Sequence, residues 1–276
     1  MVSDQTFEMP ELAEVLFACK AWKKGLGQKI LKAETINRSR VYRDLDPNLL
    51  PVALQDSSMN SSHTHGKKML FRLSGDKWLG VHLGMTGWLY EESPEHPQGK
   101  HDALILRQNN LSLIFRDPRQ FGRILYHKGK EKPSWWNNLP PEVHSDAFTL
   151  ELVRGVLQRR KRALIKAVLL MQEFFPGIGN WMVDEILWRA RIHPAERAGK
   201  LSPAKQKALW EQTRFVANGA LETVGTRGGD PPEGWLFHVR WKDGGDCPQS
   251  GKALVRETVA GRTTCFCPSL QRLTKR

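Results

Sequence analysis

Three short segments carry residue types suited to gripping and opening a polyanion. Phe175-Pro176-Gly177-Ile178-Gly179-Asn180 lies between two stretches of helical period. Its glycines let backbone N–H groups approach an anion at the start of the next helix, and Asn180 adds a side-chain donor. The basic run Arg159-Arg160-Lys161-Arg162 and Lys166 precede it. That context favours a phosphate clamp over the alternative, an ordinary helix–helix turn. Gly84-Met85-Thr86-Gly87 sets a flexible apolar side chain between glycines, and Asp117-Pro118-Arg119-Gln120-Phe121-Gly122 sets a cation and an aromatic ring among turn residues. Taken singly, Met85 and Phe121 fit a core. On loop tips, a Met, an Arg and a Phe are what a protein needs to wedge into a base stack.

These segments need a scaffold, and the chain reads as two unlike halves. Leu12, Val15, Leu16, Cys19 and Trp22 follow helical spacing, with Gly25 as a stop. Short apolar or alternating runs follow at Met69–Leu73, Trp78–Leu83, Gly87–Tyr90, Ala103–Leu106, Leu111–Phe115 and Ile124–Tyr126, separated by turns such as Ser74-Gly75-Asp76 and Gln108-Asn109-Asn110. Many short strands at this spacing predict an antiparallel sandwich or barrel. The Pro-, Asn- and Trp-rich stretch Lys130–Pro141 reads as a linker. Beyond it, Thr149–Arg159, Leu164–Gln172, Trp181–Ala190 and Pro203–Thr223 read as helices, before a Gly/Pro-rich stretch and a compact, two-stranded tail. The fold class is α+β.

Composition narrows the partners. The 276 residues include 42 Lys and Arg against 29 Asp and Glu, a net charge of +13. With ten tryptophans and no lysine-rich tail, that charge must sit on folded surface. It favours nucleic acid, because neutralised phosphates release counterions. No apolar run approaches the roughly 18 residues that suggest a membrane span. The first residues lack the order of a signal peptide. Four cysteines, at positions 19, 247, 265 and 267, are too few and too clustered for a disulfide framework. The expectation is a monomer that is not secreted, cytoplasmic or nucleoid-associated, or nuclear in a eukaryote.

Met9-Pro10-Glu11-Leu12-Ala13-Glu14-Val15 resembles the start shared by the formamidopyrimidine-DNA glycosylase / endonuclease VIII family, departing only at Ala13. The likeness continues through Gly66-Lys67-Lys68-Met69-Leu70, His82-Leu83-Gly84-Met85-Thr86-Gly87, Asp117–Gly122, Gly177-Ile178-Gly179-Asn180, Ile192-His193-Pro194 and Gly261-Arg262-Thr263-Thr264. It covers residues 9 to about 270 in the family's order. The resemblance implies a catalytic β-sandwich over residues 9–129, a linker at 130–141, a helix–two-turn–helix domain at 142–225 and a small finger at 226–276. DNA with damaged bases or abasic sites would run through a basic cleft between the domains.

What the resemblance implies chemically is removal of a damaged base followed by strand nicking. Pro10 is the implied nucleophile, through its own nitrogen once Met9 is removed. A free α-amine has a pKa near roughly 8, so a useful fraction is unprotonated at neutral pH. Attack on C1′ displaces the base and leaves a Schiff base, and β- and δ-elimination follow. Glu11 matches the acid that protonates the sugar ring oxygen, its proton to be held by burial or by the DNA. Lys67 matches a lysine that contacts the phosphate beside the lesion. Asn180 and Arg262 would grip the phosphates flanking the everted nucleotide. Met85, Arg119 and Phe121 would fill the vacated space, with Arg119 facing the orphaned base. Glu185 matches a structural carboxylate. No cofactor is implied. The rival reading is a catalytically silent damage-binding protein on the same scaffold. By their residues alone, Pro10 and Glu11 also fit an ordinary helix start.

Three departures sharpen the expectations. Family fingers use two Cys-x-x-Cys pairs, but here the registers read Cys247-Pro248-Gln249-Ser250 and Cys267-Pro268-Ser269-Leu270. Ser and Leu do not replace thiolates in a closed tetrahedral site, and rescue by Cys265 and His238 has poor spacing. The expectation is a zincless finger that holds Arg262 by hairpin packing. In the family's 8-oxoguanine enzymes a long loop closes over the flipped base. Here only Thr226–Gly234 precedes Trp235-Leu236-Phe237, which predicts reduced excision of 8-oxoguanine relative to ring-opened purines, oxidised pyrimidines or abasic sites. Finally, eight residues precede Met9, and in that form the Pro10 nitrogen is a tertiary amide. The expectation is a functional protein that starts at Pro10.

Overall fold

The computed structural model describes residues 9–274. Residues 1–8, which bear on the expectation about where the protein starts, lie outside the described residues. The chain forms two compact units, one built of residues 9–10 and Glu14–Leu139, the other of Glu11–Ala13 and residues 140–274. Among the described residues, no helix is long and apolar enough to cross a membrane.

The first unit is an antiparallel sandwich. One sheet has the order β1 (Lys32–Thr35), β6 (Asp102–Arg107), β7 (Ser112–Arg116), β5 (Trp88–Glu92). The other has the order β2 (Met59–His65), β3 (Lys68–Leu73), β4 (Lys77–His82), β8 (Arg123–Lys128). The strand period of two sends Met69, Phe71 and Leu73 of β3 inward to meet Leu104, Leu106 and Phe115 of the facing sheet. Val15, Ala18, Cys19 and Trp22 of helix α1 (Leu12–Lys23) join that core. A short helix α2 (Leu49–Leu54) adds Leu50 and Leu54. On the outer face of the second sheet, Leu70 and Trp78 cluster with Trp136. Trp136 comes from helix α3 (Ser134–Asn137), one turn within the stretch expected to be a linker.

The second unit is helical, with α4 (Leu150–Arg159), α5 (Ile165–Leu169), α6 (Asn180–Arg189) and α7 (Pro203–Ala220). Thr149 caps α4 by accepting the Leu152 N–H at 3.2 Å, and Ser202 caps α7 with proline in its first turn. α5 ends three residues short of the expected Gln172. The Gln172 side chain is committed to the next turn instead: its amide donates to the Ile178 carbonyl at 2.8 Å and its oxygen accepts the Gly177 N–H at 3.0 Å. α7 gives way to a π-turn at Leu221–Gly225. The tail is the hairpin β9 (Val255–Val259) and β10 (Arg262–Phe266). Its base packs Cys247, Leu254, Cys265 and Cys267 against Trp188 and Leu236.

Candidate active site and nucleic-acid interface

In the sandwich, Pro10 is buried, and Lys67, in the turn that leads into β3, is 8% exposed. The Lys67 Nζ lies 3.9 Å from the Met9 sulfur, the residue joined to Pro10. The chain therefore brings an ammonium group to the segment that holds the proposed nucleophile. Lys68, one residue on, projects from the outer face of the sheet.

The two wedge loops are locked together by one carboxylate. Asp117 is 1% exposed. Its Oδ1 accepts the Thr86 hydroxyl at 2.9 Å and its Oδ2 accepts the Gly122 N–H at 2.7 Å. The Arg119 N–H donates to the same Thr86 oxygen at 3.3 Å. A Cβ at Gly84 would stand 2.4 Å from the Phe121 carbonyl carbon, so only glycine admits this approach. The result is a paired tip. Phe121 is 43% exposed, the Arg119 guanidinium lies 5.0 Å over its ring, and Met85, between Gly84 and Thr86 in the chain, is half-buried. An exposed aromatic braced by a cation on a rigid double loop is the geometry of a base-stack wedge.

In the helical unit, Glu11 is 1% exposed and lies against the start of α6. Its carboxylate accepts the N–H groups of Gly179 at 2.8 Å, Trp181 at 2.9 Å and Met182 at 3.3 Å. These are the orphan donors of a helix N-terminus, which favour a negative group. The contact is close enough that a Cβ at Gly179 would sit 2.4 Å from the Glu11 carboxyl carbon. So the glycine turn read as a phosphate clamp also fixes Glu11. Its remaining piece, Asn180, donates from Nδ2 to the Thr263 carbonyl at 2.9 Å. That carbonyl belongs to the residue after Arg262, and the arginine itself is exposed at the hairpin tip. The structure thus brings Asn180 and Arg262 together.

A buried ion network holds the hairpin where a metal would be expected to. Lys166 and Asp184 have fully buried side chains 2.6 Å apart. Asp184 Oδ2 also accepts Arg240 at 2.8 Å and the Cys265 N–H at 3.0 Å, and Lys166 donates to the Thr263 carbonyl at 3.1 Å. The residues at the family's zinc positions do not fit a tetrahedral thiolate site. Ser250 and Ser269 hydroxyls lie 3.4 and 3.1 Å from the Cys267 sulfur, and Cys247 accepts the Trp188 indole N–H at 3.3 Å. His238, the suggested rescue ligand, holds the Pro231 and Pro232 carbonyls at 3.0 and 3.1 Å through Nε2. Among the described residues, no group of three or more His, Cys, Asp or Glu side chains is placed to hold a metal. Removing one member of a buried ion pair costs about 3–5 kcal/mol. The D184A variant is therefore expected to lose about that much stability in urea melts, while a zinc chelator leaves the wild-type midpoint unchanged. A chelator-induced shift, or an undisturbed D184A, overturns the assignment of the hairpin's anchor.

Glu185 braces the segment before the hairpin. Its oxygens accept Arg189 Nε at 2.7 Å and the Phe237 N–H at 3.1 Å, and burial pushes its pKa up to about 7. Four functional groups are not legible in the sequence. Lys166 stands beside a basic run, and Asp184 and Arg240 carry no signal, because pairing across long stretches of chain is invisible in a sequence. His82 lies inside the motif His82–Gly87, which gives no sign of its role. Its Nδ1 accepts the Gly84 N–H at 3.0 Å, and burial with the nearby Lys67, Lys68, Arg43 and Arg123 pushes its pKa down to about 4.

A sandwich with an exposed aromatic tip and a helical unit whose glycine turn opens a helix N-terminus define a DNA-processing protein. Residues 9–124 match the formamidopyrimidine-DNA glycosylase N-terminal domain and residues 139–229 match the helix–two-turn–helix domain of the same enzymes. The chain is 33% identical to the formamidopyrimidine-DNA glycosylase of Roseiflexus sp. (strain RS-1), over 96% of this chain and 100% of that protein. It is 29% identical to the Arabidopsis thaliana protein of the same name, over 96% of this chain and 71% of that one. The Lactococcus lactis enzyme bound to DNA containing an oxidised pyrimidine superposes with a TM-score of 0.86 at 28% identity, over 95% of this chain and 100% of that one. The same enzyme bound to abasic-site DNA gives 0.86 at 28% identity, over 95% and 99%. This chain belongs to the formamidopyrimidine-DNA glycosylase family.

Proposed function

We propose that the protein is a base excision repair glycosylase with abasic-site lyase activity, acting on duplex DNA that carries oxidised or ring-opened bases. The observation that carries this reading is the Glu11 carboxylate, buried and fixed by three backbone N–H donors directly after Pro10 in the chain. With Met9 removed, the Pro10 nitrogen attacks C1′ and the C1′–base bond breaks, the base leaving with its electron pair and taking a proton from water. The Glu11 carboxylate takes the proton that the Pro10 nitrogen sheds and passes it to O4′, so that the ring opens and leaves an iminium ion on C1′. The iminium makes the C2′ proton acidic. Its loss expels the 3′ phosphate, and a second elimination expels the 5′ phosphate. Lys67 neutralises the phosphate beside the lesion, and Asn180 and Arg262 hold the flanking phosphates. Met85, Arg119 and Phe121 occupy the space the base leaves, offsetting part of a flipping cost of a few kcal/mol. Such work requires access to the chromosome, in the cytoplasm or nucleoid, or in the nucleus of a eukaryote.

The test is borohydride trapping on abasic-site duplex. A covalent adduct and strand ends phosphorylated on both sides support the enzyme. A mobility shift without adduct supports the silent binder, whose one favouring observation is the amide bond between Met9 and Pro10.

The stretch 226–234 supports a further expectation. It is short, and His238 pins its Pro231 and Pro232 carbonyls, so few groups remain to read a base edge. Cleavage of 8-oxoguanine is expected to be slower than that of ring-opened purines, oxidised pyrimidines or abasic sites in a matched duplex panel. A panel with 8-oxoguanine as best substrate would refute it.

A further inference from the structure

The turns that flank the hairpin bring two cysteines to one hydroxyl, and the proposed reaction uses neither of them. Cys247 opens a turn that the Gly251 N–H closes, donating to the Cys247 carbonyl at 2.8 Å. Cys267 opens another, with the Leu270 and Gln271 N–H groups donating to its carbonyl at 3.0 and 2.8 Å. Both cysteines are buried. The Ser250 hydroxyl is hydrogen-bonded to the Cys247 sulfur and lies 3.4 Å from the Cys267 sulfur. Ser269 closes the group, its hydroxyl 3.1 Å from the Cys267 sulfur and 3.3 Å from the Ser250 oxygen. Two sulfurs in contact with one oxygen are near neighbours. What separates them is a serine side chain, short enough to turn aside by a single χ1 rotation.

The cysteines of this chain are unequally equipped for chemistry. Donors converge on the Cys247 sulfur: the Trp188 indole N–H at 3.3 Å, the Ser250 hydroxyl and the backbone N–H groups of Gln249 and Ser250. Such a set suits a thiolate, the nucleophilic form of cysteine, far better than a thiol. Burial pushes the Cys247 pKa up, but the donors outweigh it and bring it down to about 7. Cys265 stands only two residues before Cys267 but differs from Cys247. Its N–H is given to Asp184, and burial and then the Asp184 charge push its thiol up to about 11. Cys19, in the sandwich core, is likewise pushed up to about 11 by burial. One nucleophilic sulfur with a second thiol within reach is the arrangement of a redox pair.

We infer that Cys247 and Cys267 form a reversible disulfide, with hydrogen peroxide as the oxidant, and that this bond staples the base of the hairpin. The Cys247 thiolate attacks one peroxide oxygen, the O–O bond breaks, and the hydroxide that leaves takes a proton to become water. Cys247 is then a sulfenic acid. The Cys267 sulfur attacks it, the S–O bond breaks, and the departing hydroxide leaves with the Cys267 proton as a second water. Counted from their thiols, the two cysteines lose two electrons and two protons, and one peroxide becomes two waters. Only a molecule near the size of water reaches sulfurs this buried, which selects peroxide over a bulky disulfide. The bond joins the chain before β9 to the turn after β10. It fastens the hairpin whose tip carries Arg262 and whose Thr263 carbonyl receives Asn180 and Lys166. It is a second anchor beside the Asp184 network.

The test takes the full protein in reduced form, treats it with a small molar excess of hydrogen peroxide, blocks remaining thiols with N-ethylmaleimide and digests it with trypsin. The wild type is expected to lose two of its four thiols and to yield peptide 243–252 joined to peptide 263–272, which dithiothreitol separates. Fragmentation of the joined peptides should place the bond on Cys267, with Cys265 and Cys19 carrying maleimide. That reading comes from the wild type and does not depend on whether a variant folds. C265S is expected to keep the joined peptides, and C247S and C267S to lose them. A bond on Cys265, or joined peptides in C267S, overturns the pairing. Sulfinic acid on Cys247 without joined peptides means that no second thiol reaches it, and overturns the disulfide. The oxidised protein should melt at least about 3 °C above the reduced protein, as a closed loop of this length stabilises the fold. Oxidised D184A should regain part of the midpoint that the substitution removes. A joined protein with an unchanged or lower midpoint overturns the staple.

Discussion

A chain that begins at Pro10 is expected to form a borohydride-stable adduct with abasic-site DNA at a rate at least about 10³-fold above that of the form retaining Met9, the scale of losing a nucleophile. The reason lies in one bond. A Pro10 nitrogen acylated by Met9 is a tertiary amide, whose lone pair is delocalised into the carbonyl and whose attack on C1′ would leave no route to an iminium ion. Freed, the same nitrogen is a secondary amine with a pKa near roughly 8. Native protein sequenced from its N-terminus should read Pro-Glu-Leu-Ala-Glu. The alternative amine is that of Lys67, whose Nζ lies 3.9 Å from the Met9 sulfur. If the Met9-containing form traps as fast as the Pro10 form, and K67A abolishes that trapping, the nucleophile is Lys67 and the Pro10 mechanism is wrong.

What is legible in the sequence follows from periodicity and punctuation. β3 through β8 were legible because apolar side chains alternate or run between Gly, Asn and Asp turns. β1 and β2 were not: β2 reads Met-Asn-Ser-Ser-His-Thr-His, with one apolar residue, and earns its place by pairing with β3 across a bulge near Met59 and Ser61. Propensity carries no trace of such a partner. The stretch 130–141 looked like a linker because prolines and asparagines outweigh the two adjacent tryptophans, yet Trp136 packs on Leu70 and Trp78. α5 stopped early because Gln172 serves the glycine turn instead of the helix.

The candidate site divides along the same line. Each loop was visible as a motif, since chemistry that needs glycine and a special side chain leaves a local signature. The groups that hold the loops in place were not visible. Asp117 joins the two wedge tips across 31 positions of chain, and Asp184 reaches Cys265 across 81. Both are buried carboxylates whose partners are backbone N–H groups, hydroxyls or cations from distant segments, so nothing near them in sequence announces the role. The loss of zinc ligands was legible, and what anchors the hairpin in their place was not.

The E11Q variant, made in the Pro10-starting form, is expected to slow release of a damaged base by about 10²–10⁴-fold, the usual range for one acid–base group. Cleavage of a preformed abasic site should change by less than about tenfold by the same reasoning. The split follows from the sugar. A deoxyribose that still bears its base is a closed ring, and attack at C1′ must be accompanied by protonation of O4′ as it opens. An abasic deoxyribose already equilibrates with its open aldehyde, which an amine attacks without that proton. A structural effect must be separated from this one, because Glu11 also binds the start of α6. Its two oxygens accept from Gly179, Trp181 and Met182, and a glutamine must turn its own NH2 toward one of those donors. Such a mismatch costs about 1–3 kcal/mol and would show as a lower melting midpoint. It would disturb the turn that carries Asn180 as well, and so slow both substrates alike. Single-turnover rates on a ring-opened purine and on an abasic site, compared within one preparation, distinguish the two. Equal slowing would leave Glu11 as the brace of the glycine turn and send the search for the acid elsewhere.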